Sequence, residues 1–318
     1  MVSKSRRSSW QRAIRWLKRP PSSKRRRPLV SVLLPTHNRA DVLGYAIASV
    51  LWQTEQDFEL LIAGDGCTDE TATVVASFHD ERIRWFDLPK APLSGYANRN
   101  LVLSKARGRY IAYAQHDDIL FPDHLAQLIA TIRASKSEWG YSRPLWCTPD
   151  GYCIPFAINL GDAEELAHFL NVENHIPSCC VLHTRGVLKR VGYWPEDVER
   201  LADWRYWHRI IQSRPWRKPA YCPEATVLHF RARWKTGPEY DPAAVARLHA
   251  AAQQGGWWPS ALKLDVPPGS AEQGIFFETI CPDGVVSEAR IAELRAGITL
   301  VLDRLAWTWI KEAGSHLT

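Results

Sequence analysis

Between residues 29 and 114, apolar runs of strand length alternate with stretches of helical period. Leu29–Leu34 is a β-branched and leucine run closed by Pro35, the pattern of a buried strand. Asp41–Trp52 places Val42, Ala46, Ser49 and Val50 along one side and predicts a helix. Phe58–Ala63 reads as a second strand, Glu70–Phe78 as a helix, and Arg82–Leu88 as a third strand. Gly95–Ala106 is then helical in period and Arg109–Ala114 is a fourth strand. Strands alternating with helices at this spacing predict an α/β fold, a mostly parallel sheet with helices on both faces.

After Asp118 the alternation loosens. Pro122–Ser135 predicts a helix, and Trp139–Phe156 is a Trp- and Tyr-rich stretch whose Pro149-Asp150-Gly151 turn predicts a hairpin. Ser178–His183 reads as a strand, Asp203–Gln212 as a helix and Ala225–Phe230 as a last strand. Beyond about Thr236 the pattern predicts an Ala-rich helix at Pro242–Gln254, strands at Ala261–Val266 and Gly274–Ile280, and a terminal helix from about Ser287. The expected division is a basic N-terminal arm (1–27), an α/β domain (28–235) and a small, mainly helical C-terminal extension (236–318).

Charge sharpens that division. The net charge of +6 comes from the arm, where residues 1–27 hold eleven Lys or Arg and no acid. The body keeps 29 basic and 34 acidic residues, a net of −5, which argues against a nucleic-acid partner. Within the arm, Trp10, Ala13, Ile14 and Leu17 recur at helical spacing with Arg12, Arg15 and Lys18 between them, until Pro20 and Pro21 stop the pattern. That segment suits either a helix lying on an anionic membrane surface or a solvated extension. No apolar run reaches the ~18 residues of a membrane span, and the N-terminus lacks a signal-peptide core. Seven cysteines without a C-x-x-C pair read as reduced thiols, with no zinc motif among them. The expected location is cytoplasmic, with peripheral contact at the inner membrane face left open through residues 1–27.

Three polar clusters stand where a strand runs out: Pro35-Thr36-His37-Asn38, Gly64-Asp65-Gly66 and Gln115-His116-Asp117-Asp118. In a parallel sheet the C-terminal strand ends share one edge, so these clusters should meet in one crevice. The first turn has no Gly-x-Gly-x-x-Gly and no Gly-Lys-Ser/Thr, which removes the dinucleotide and P-loop readings. It offers carboxylates and Arg99 instead, a set suited to a hard divalent cation shared with substrate phosphates. Each feature also has a plain structural reading. Asp117-Asp118 ahead of Pro122 suits a helix cap, Gly64–Gly66 a turn, and Thr68 or Asp69 an N-cap.

Taken together, Val-Ser-Val-Leu-Leu-Pro-Thr-His-Asn-Arg (31–39 with Val30), Gly-Asp-Gly-Cys-Thr-Asp-Glu-Thr (64–71), Ala-Asn-Arg-Asn (97–100), Ala-Arg-Gly-Arg-Tyr-Ile (106–111) and His-Asp-Asp (116–118) resemble family 2 of the inverting glycosyltransferases, with the GT-A fold. The resemblance covers about residues 28–235. It implies a nucleotide-sugar donor, a glycan or lipid-linked acceptor, and Mn²⁺ or Mg²⁺ as cofactor. It sets Pro35, Thr36, Asn38 and Asp65 along the nucleotide, with Asp65 at the base, and Arg99 near the nucleoside. Asp117 and Asp118 match its metal motif, with one expected on the metal and the other, Asp117 among the donor-binding residues, on a sugar or ribose hydroxyl, although Gln115 stands where family members commonly carry the first Asp. Cys67 stands where Ser is usual and reads as a serine substitute. The segment Leu201–Arg209 resembles the family's acidic stretch before an aromatic helix, which makes Asp203 the implied general base; on its own Asp203 is a first-turn helix carboxylate.

His229, ending the last expected strand, is a candidate for the metal shell or the diphosphate, against a packed and hydrogen-bonded residue. Arg231 and Arg233 are candidates for donor phosphates. Trp194, Trp204 and Trp207 cluster around the expected acceptor cleft. The rival readings are a non-catalytic sugar- or nucleotide-binding module with a decayed metal site, suggested by Gln115, and a nucleotidyltransferase, which would want a basic Gly-rich loop that Pro35–Arg39 does not supply.

Overall fold

A computed structural model describes residues 9–14, 27–156, 158–232, 235, 242–254 and 256–304. Nine strands form one sheet: β1 (Val30–Thr36), β2 (Phe58–Asp65), β3 (Ile83–Leu88), β4 (Tyr110–Tyr113), β5 (Ile119–Leu120), β6 (Trp139–Cys147), β7 (Cys153–Pro155), β8 (Val181–Thr184) and β9 (Ala220–Phe230). Their order is β3-β2-β1-β4-β8-β6-β9-β5, with β7 paired to β6. The first four strands are mutually parallel, in register Val30↔Phe58 and Val30↔Tyr110. The crossovers between them run through helices Leu43–Leu51, Thr71–Ala76 and Tyr96–Leu103. Every residue of β2 is buried, as a strand covered on both faces requires.

The other half of the sheet mixes directions. β8 runs antiparallel to both β4 and β6, while β6 and β9 pair in parallel over eight positions. Their register shifts on either side of Arg143, beside Pro144, whose missing N–H is tolerated at such an irregularity. β5 lies antiparallel to β9, Ile119 opposite Leu228. That short ladder sets the site, because it brings the residue before β5 against the residue after Leu228.

Most expected elements lie within a few residues of their observed bounds. Two differ in kind. Gly274–Ile280, expected as a strand, belongs to the helix Glu272–Ile280, whose Phe276, Phe277 and Ile280 are buried at helical spacing. Ala261–Val266 forms no strand beyond a single bridge, Tyr152 to Lys263, next to a 3-10 turn at Ser260–Leu262. Helices Ala163–Asn171 and Arg185–Val191 were absent from the sequence reading.

Residues 9–14 of the arm pack against the body. Ser9–Ala13 is a short helix whose Trp10 stacks on Phe78 with ring centroids 5.3 Å apart. Gly44 gives the indole its room, since a Cβ there would overlap Trp10. Arg12 pairs with Glu278 of the C-terminal segment. Trp10 and Ala13 therefore face protein core, not a membrane face. The rest of residues 1–26 lies outside the described residues. Phe277 stacks on Trp52 at 5.2 Å, and Ile291, Leu294, Ile298 and Val301 of helix Glu288–Arg304 join the main core.

Candidate active site

The C-terminal ends of β1, β2 and β4 open on one edge, and a cavity of about 310 Å³ lies there. Pro35, Thr36, Asp65, Asn98, Arg99 and His116 are among its lining residues. Thr36 is buried, and its hydroxyl has no hydrogen-bond partner among the described residues. Asp65 Oδ1 accepts from Ala91 N at 2.8 Å and Asn98 Nδ2 at 2.7 Å, while Oδ2 meets Lys90 Nζ at 2.5 Å. Burial works to raise its pKa, but these donors outweigh it and hold the group ionised below the ordinary carboxylate value. Gly95, at φ 72, lets the backbone pass so close to this carboxylate that any Cβ would overlap Oδ2.

Asn38 does not line this cavity. At φ 49, its amide Oδ1 accepts from Thr68 N at 2.7 Å and Asp69 N at 3.4 Å, tying the turn after β1 to the turn after β2. Asp69 in turn accepts from Thr71 N and Ala40 N. Cys67 reaches only Thr36 O, at 3.7 Å, the contact expected of a serine substitute.

Asp117 and Asp118 are both buried, in a turn where Asp118 N donates to Gln115 O at 3.3 Å, and they face different partners. Neither caps the following helix, whose N-cap is Asp123. Asp118 Oδ1 accepts from Phe230 N at 3.0 Å and Oδ2 stands 2.8 Å from His229 Nδ1. Burial pushes the Asp118 pKa up, but the imidazole of His229 and the ammonium of Lys235 outweigh it and hold the group well below the usual range. Cys179 Sγ lies 3.8 Å from the same His229 nitrogen, so that carboxylate, thiol and imidazole offer three ligand atoms within 4.8 Å of one another. Asp117 Oδ2 meets Lys235 Nζ at 2.8 Å; its Oδ1 has no partner among the described residues. Asp118, Cys179 and His229 form a group that could hold a divalent cation, while Asp117, with its orphaned Oδ1, faces Lys235 beside it.

A second, open cleft of about 990 Å³ adjoins the first. Asp203, Trp194, Tyr96, His229, Lys235 and Arg200 are among the residues facing it, and Arg99 and Ser94 line both cavities. Arg99 is held over the Tyr96 ring at 4.7 Å and near Trp194 at 5.9 Å. Asp203 sits in the first turn of helix Ala202–Ser213, after Leu201 in the left-handed region at φ 58. Its Oδ1 accepts from Trp204 N at 2.8 Å and its Oδ2 from Asn174 Nδ2 at 3.3 Å. Burial raises the Asp203 pKa above the ordinary value, against the Trp204 N–H, Arg99 and His229, which lower it. Trp204 and Trp207 point away from the cleft: their indole N–H groups donate to Phe169 O and Ile176 O. Gln115, at the position of the missing carboxylate, donates to Ser178 Oγ at 3.2 Å.

Several residues here carried no sequence signal. Lys235, Cys179, Lys90 and Asn174 belong to no motif and reach the site only through the fold. Arg231 donates its backbone N–H to Cys147 O; Arg233 lies outside the described residues.

Comparison with known proteins matches this arrangement. Residues 31–140 match the model of glycosyl transferase family 2. The chain is 23% identical over 191 residues to an uncharacterized glycosyltransferase of Rickettsia prowazekii (strain Madrid E), covering 58% of this chain and 59% of that one. It is 34% identical over 113 residues to the Escherichia coli UDP-Glc:alpha-D-GlcNAc-diphosphoundecaprenol beta-1,3-glucosyltransferase WfgD, covering 36% of this chain and 44% of that one. The chain thus spans 47–59% of the length of the first curated relatives it matches. Among solved structures, S. aureus TarS 1-349 in complex with UDP-GlcNAc superposes with a TM-score of 0.53 at 14% identity, over 87% of this chain and 93% of that one. The mannosyltransferase PcManGT from Pyrobaculum calidifontis, in complex with GDP-Man and Mn²⁺, gives 0.50 at 16% identity, over 96% and 85%. Residues 31–140 thus resemble the family 2 glycosyltransferases, and the chain has the GT-A fold.

Proposed function

We propose that this protein is an inverting glycosyltransferase that moves a sugar from a nucleotide-diphosphate donor, with UDP-sugars favoured, to an acceptor hydroxyl in glycan or cell-surface polysaccharide synthesis. The observation that carries this reading is the pair of adjoining cavities with Arg99 in their common wall. One holds the polar strand ends with Asp65 and Thr36; the other holds an acid, Asp203, with an aromatic wall. A donor and an acceptor need two such spaces meeting at one reacting carbon.

In this reading the nucleotide occupies the first cavity, with Asp65 at the base and Thr36 and Pro35 along it. Arg99, fixed by Tyr96 and Trp194, faces the nucleoside side of the donor. Asp203 takes the proton from the acceptor hydroxyl as that oxygen attacks the anomeric carbon, on the side opposite the departing nucleotide. Its raised pKa makes it a stronger base than an ordinary aspartate. Lys235 holds Asp117 by its charge, and His229 orients Asp118. Mn²⁺ or Mg²⁺, when bound by these carboxylates and His229, would offset the negative charge on the leaving nucleoside diphosphate.

The nucleotide-sugar complexes named for TarS and PcManGT support the donor class, and the name of WfgD supports a lipid-linked acceptor. No helix among the described residues is long and apolar enough to cross a membrane. A cytoplasmic enzyme, touching an anionic inner membrane face through the basic residues of 1–27, fits that observation.

A second reading, a non-catalytic sugar- or nucleotide-binding module, rests on Gln115. The test is Asp203→Asn. Turnover should fall about 10²- to 10⁴-fold, the usual worth of a general base, with donor affinity kept. Unchanged function in this variant would favour the binding module.

A further inference from the structure

A second group of metal-ligating side chains lies outside the site above. His168, near the end of helix Ala163–Asn171, and His175, four residues beyond that helix, converge on Glu173. Glu173 Oε1 stands 2.9 Å from His175 Nε2 and 3.6 Å from His168 Nε2, and the three ligand atoms all lie within 4.8 Å of one another. The two imidazoles are 5.3 Å apart, centroid to centroid. His175 is fully buried against Phe156, at 4.8 Å, whereas His168 and Glu173 are about a quarter exposed. A cation at their centre would therefore be protein-held on three sides and reach water on the fourth.

We infer that His168, Glu173 and His175 form a site for a zinc-class divalent ion that braces the acceptor side of the cleft. Two imidazoles and one carboxylate suit Zn²⁺ better than the hard ions Mg²⁺ or Ca²⁺, which take oxygen ligands. The edges of a tetrahedral site with ~2.0–2.1 Å bonds are ~3.3 Å long, and the observed 2.9 Å and 3.6 Å separations bracket that length.

The placement gives the ion something to hold. Glu173 Oε2 accepts from Ala243 N at 2.9 Å, at the start of helix Ala243–Gln253. The next residue, Asn174, donates to Asp203 Oδ2, and its own Oδ1 accepts from Ile176 N at 3.0 Å. Ser178, which accepts from Gln115, and Cys179, beside His229, follow directly. One ion would thus pin a helix end, a loop and a second helix at the point from which three contacts to the cleft depart. The site shares no ligand with Asp117, Asp118 or His229.

The competing arrangement is an ion-free clasp in which both imidazoles donate to Glu173. Metal content of the purified full chain distinguishes them, with the protein dialysed against Zn²⁺ and then against a weak chelator. The inference predicts about one equivalent of tightly held zinc that is lost in His168→Ala and in Glu173→Gln but kept in His229→Ala. Co²⁺ substitution should give visible d–d absorption of a four-coordinate ion in the wild type and in His229→Ala, and none in His168→Ala. His168 is partly exposed, so its removal should leave the circular dichroism spectrum unchanged; if it does not, Glu173→Gln carries the comparison. Zinc retained equally in His168→Ala and Glu173→Gln, or no retained zinc in the wild type, would overturn the inference.

Discussion

Asp118 Oδ2 and His229 Nδ1, 111 residues apart in the chain, stand 2.8 Å from one another. The contact exists because Ile119 pairs with Leu228 in the antiparallel β5–β9 ladder, which sets the preceding and following residues face to face. The parallel half of the sheet, which carries Thr36 and Asp65, is joined to the mixed half by the β4–β8 pairing, and the Asp118–His229 pair lies by the β5–β9 ladder at the far edge of that mixed half. Removing either member leaves the other buried and short of a partner, at a cost in the range of about 3–5 kcal/mol for breaking a buried pair. His229→Ala should therefore lower the unfolding free energy as well as weaken divalent-cation-dependent donor binding. Denaturant melts and calorimetry on the same variant check both, and unchanged stability would count against a structural share in the pair.

Arg99 bears on both cavities at once, so its replacement should be felt by both substrates. Lysine keeps the charge but loses the planar stack on Tyr96. Arg99→Lys is expected to reduce kcat/KM about 10- to 100-fold, the worth of a charge-assisted contact. A change confined to the acceptor's KM would contradict a role at the shared wall.

As the proposed general base, Asp203 can act only when ionised. Since burial raises its pKa, the acid limb of the kcat/KM profile should lie above the ~3.9 of an ordinary aspartate, with activity rising as pH rises through it. In Asp203→Asn that limb should vanish with most of the rate. A wild-type limb at or below the ordinary value would oppose the assignment.

Two buried histidines predict acid sensitivity unrelated to catalysis. His183, bonded to Tyr113 Oη at 2.7 Å, and His124, bonded to Thr226 Oγ1 at 2.8 Å, are both lowered by burial to pKa values of about 4. Their folded pKa values lie below the unfolded ~6.5, so the stabilisation from keeping them neutral is complete above pH 6.5 and lost as pH falls toward 4. From pH 7 to pH 5 each should cost roughly 2 kcal/mol. Urea titrations at the two pH values, repeated for His183→Gln, should show a smaller loss in the variant.

Trp10 tests the packing of the amino-terminal helix. It is 7% exposed and stacked on Phe78. Trp10→Ala should destabilise the body by about 3 kcal/mol, the low end for a large aromatic removed from a core. A substitution without effect on the denaturant midpoint would return this segment to the status of a free arm.

The parallel half of the fold was legible because strands covered on both faces read as continuous apolar runs. The two-residue strand β5 is too short to leave a pattern, although it positions Asp118. The helix Glu272–Ile280 was misread as a strand because Ile275, Phe276 and Phe277 are β-favouring residues, and packing of Phe277 on Trp52 overrides that preference. At the site, the strand-end clusters announced themselves, but Asn38 turned out to clamp two turns together, apart from the cavity. Lys235 and Cys179 were illegible, since a lone lysine or cysteine acquires meaning only from the groups the fold sets beside it. The Trp10 segment suited either a membrane-surface helix or a solvated extension, because an amphipathic stripe looks the same whichever apolar surface it meets.

The strand-end cavity is proposed to bind a nucleoside diphosphate whose sugar is passed toward Asp203. The most direct measurement is calorimetric binding of UDP, GDP, dTDP and CDP to the full chain, with and without Mn²⁺. The account predicts Mn²⁺-dependent binding of one nucleotide, UDP foremost, lost in Asp65→Ala and Asp118→Ala and kept in Asp203→Asn. Absence of binding by all four nucleotides, with and without the ion, would contradict it.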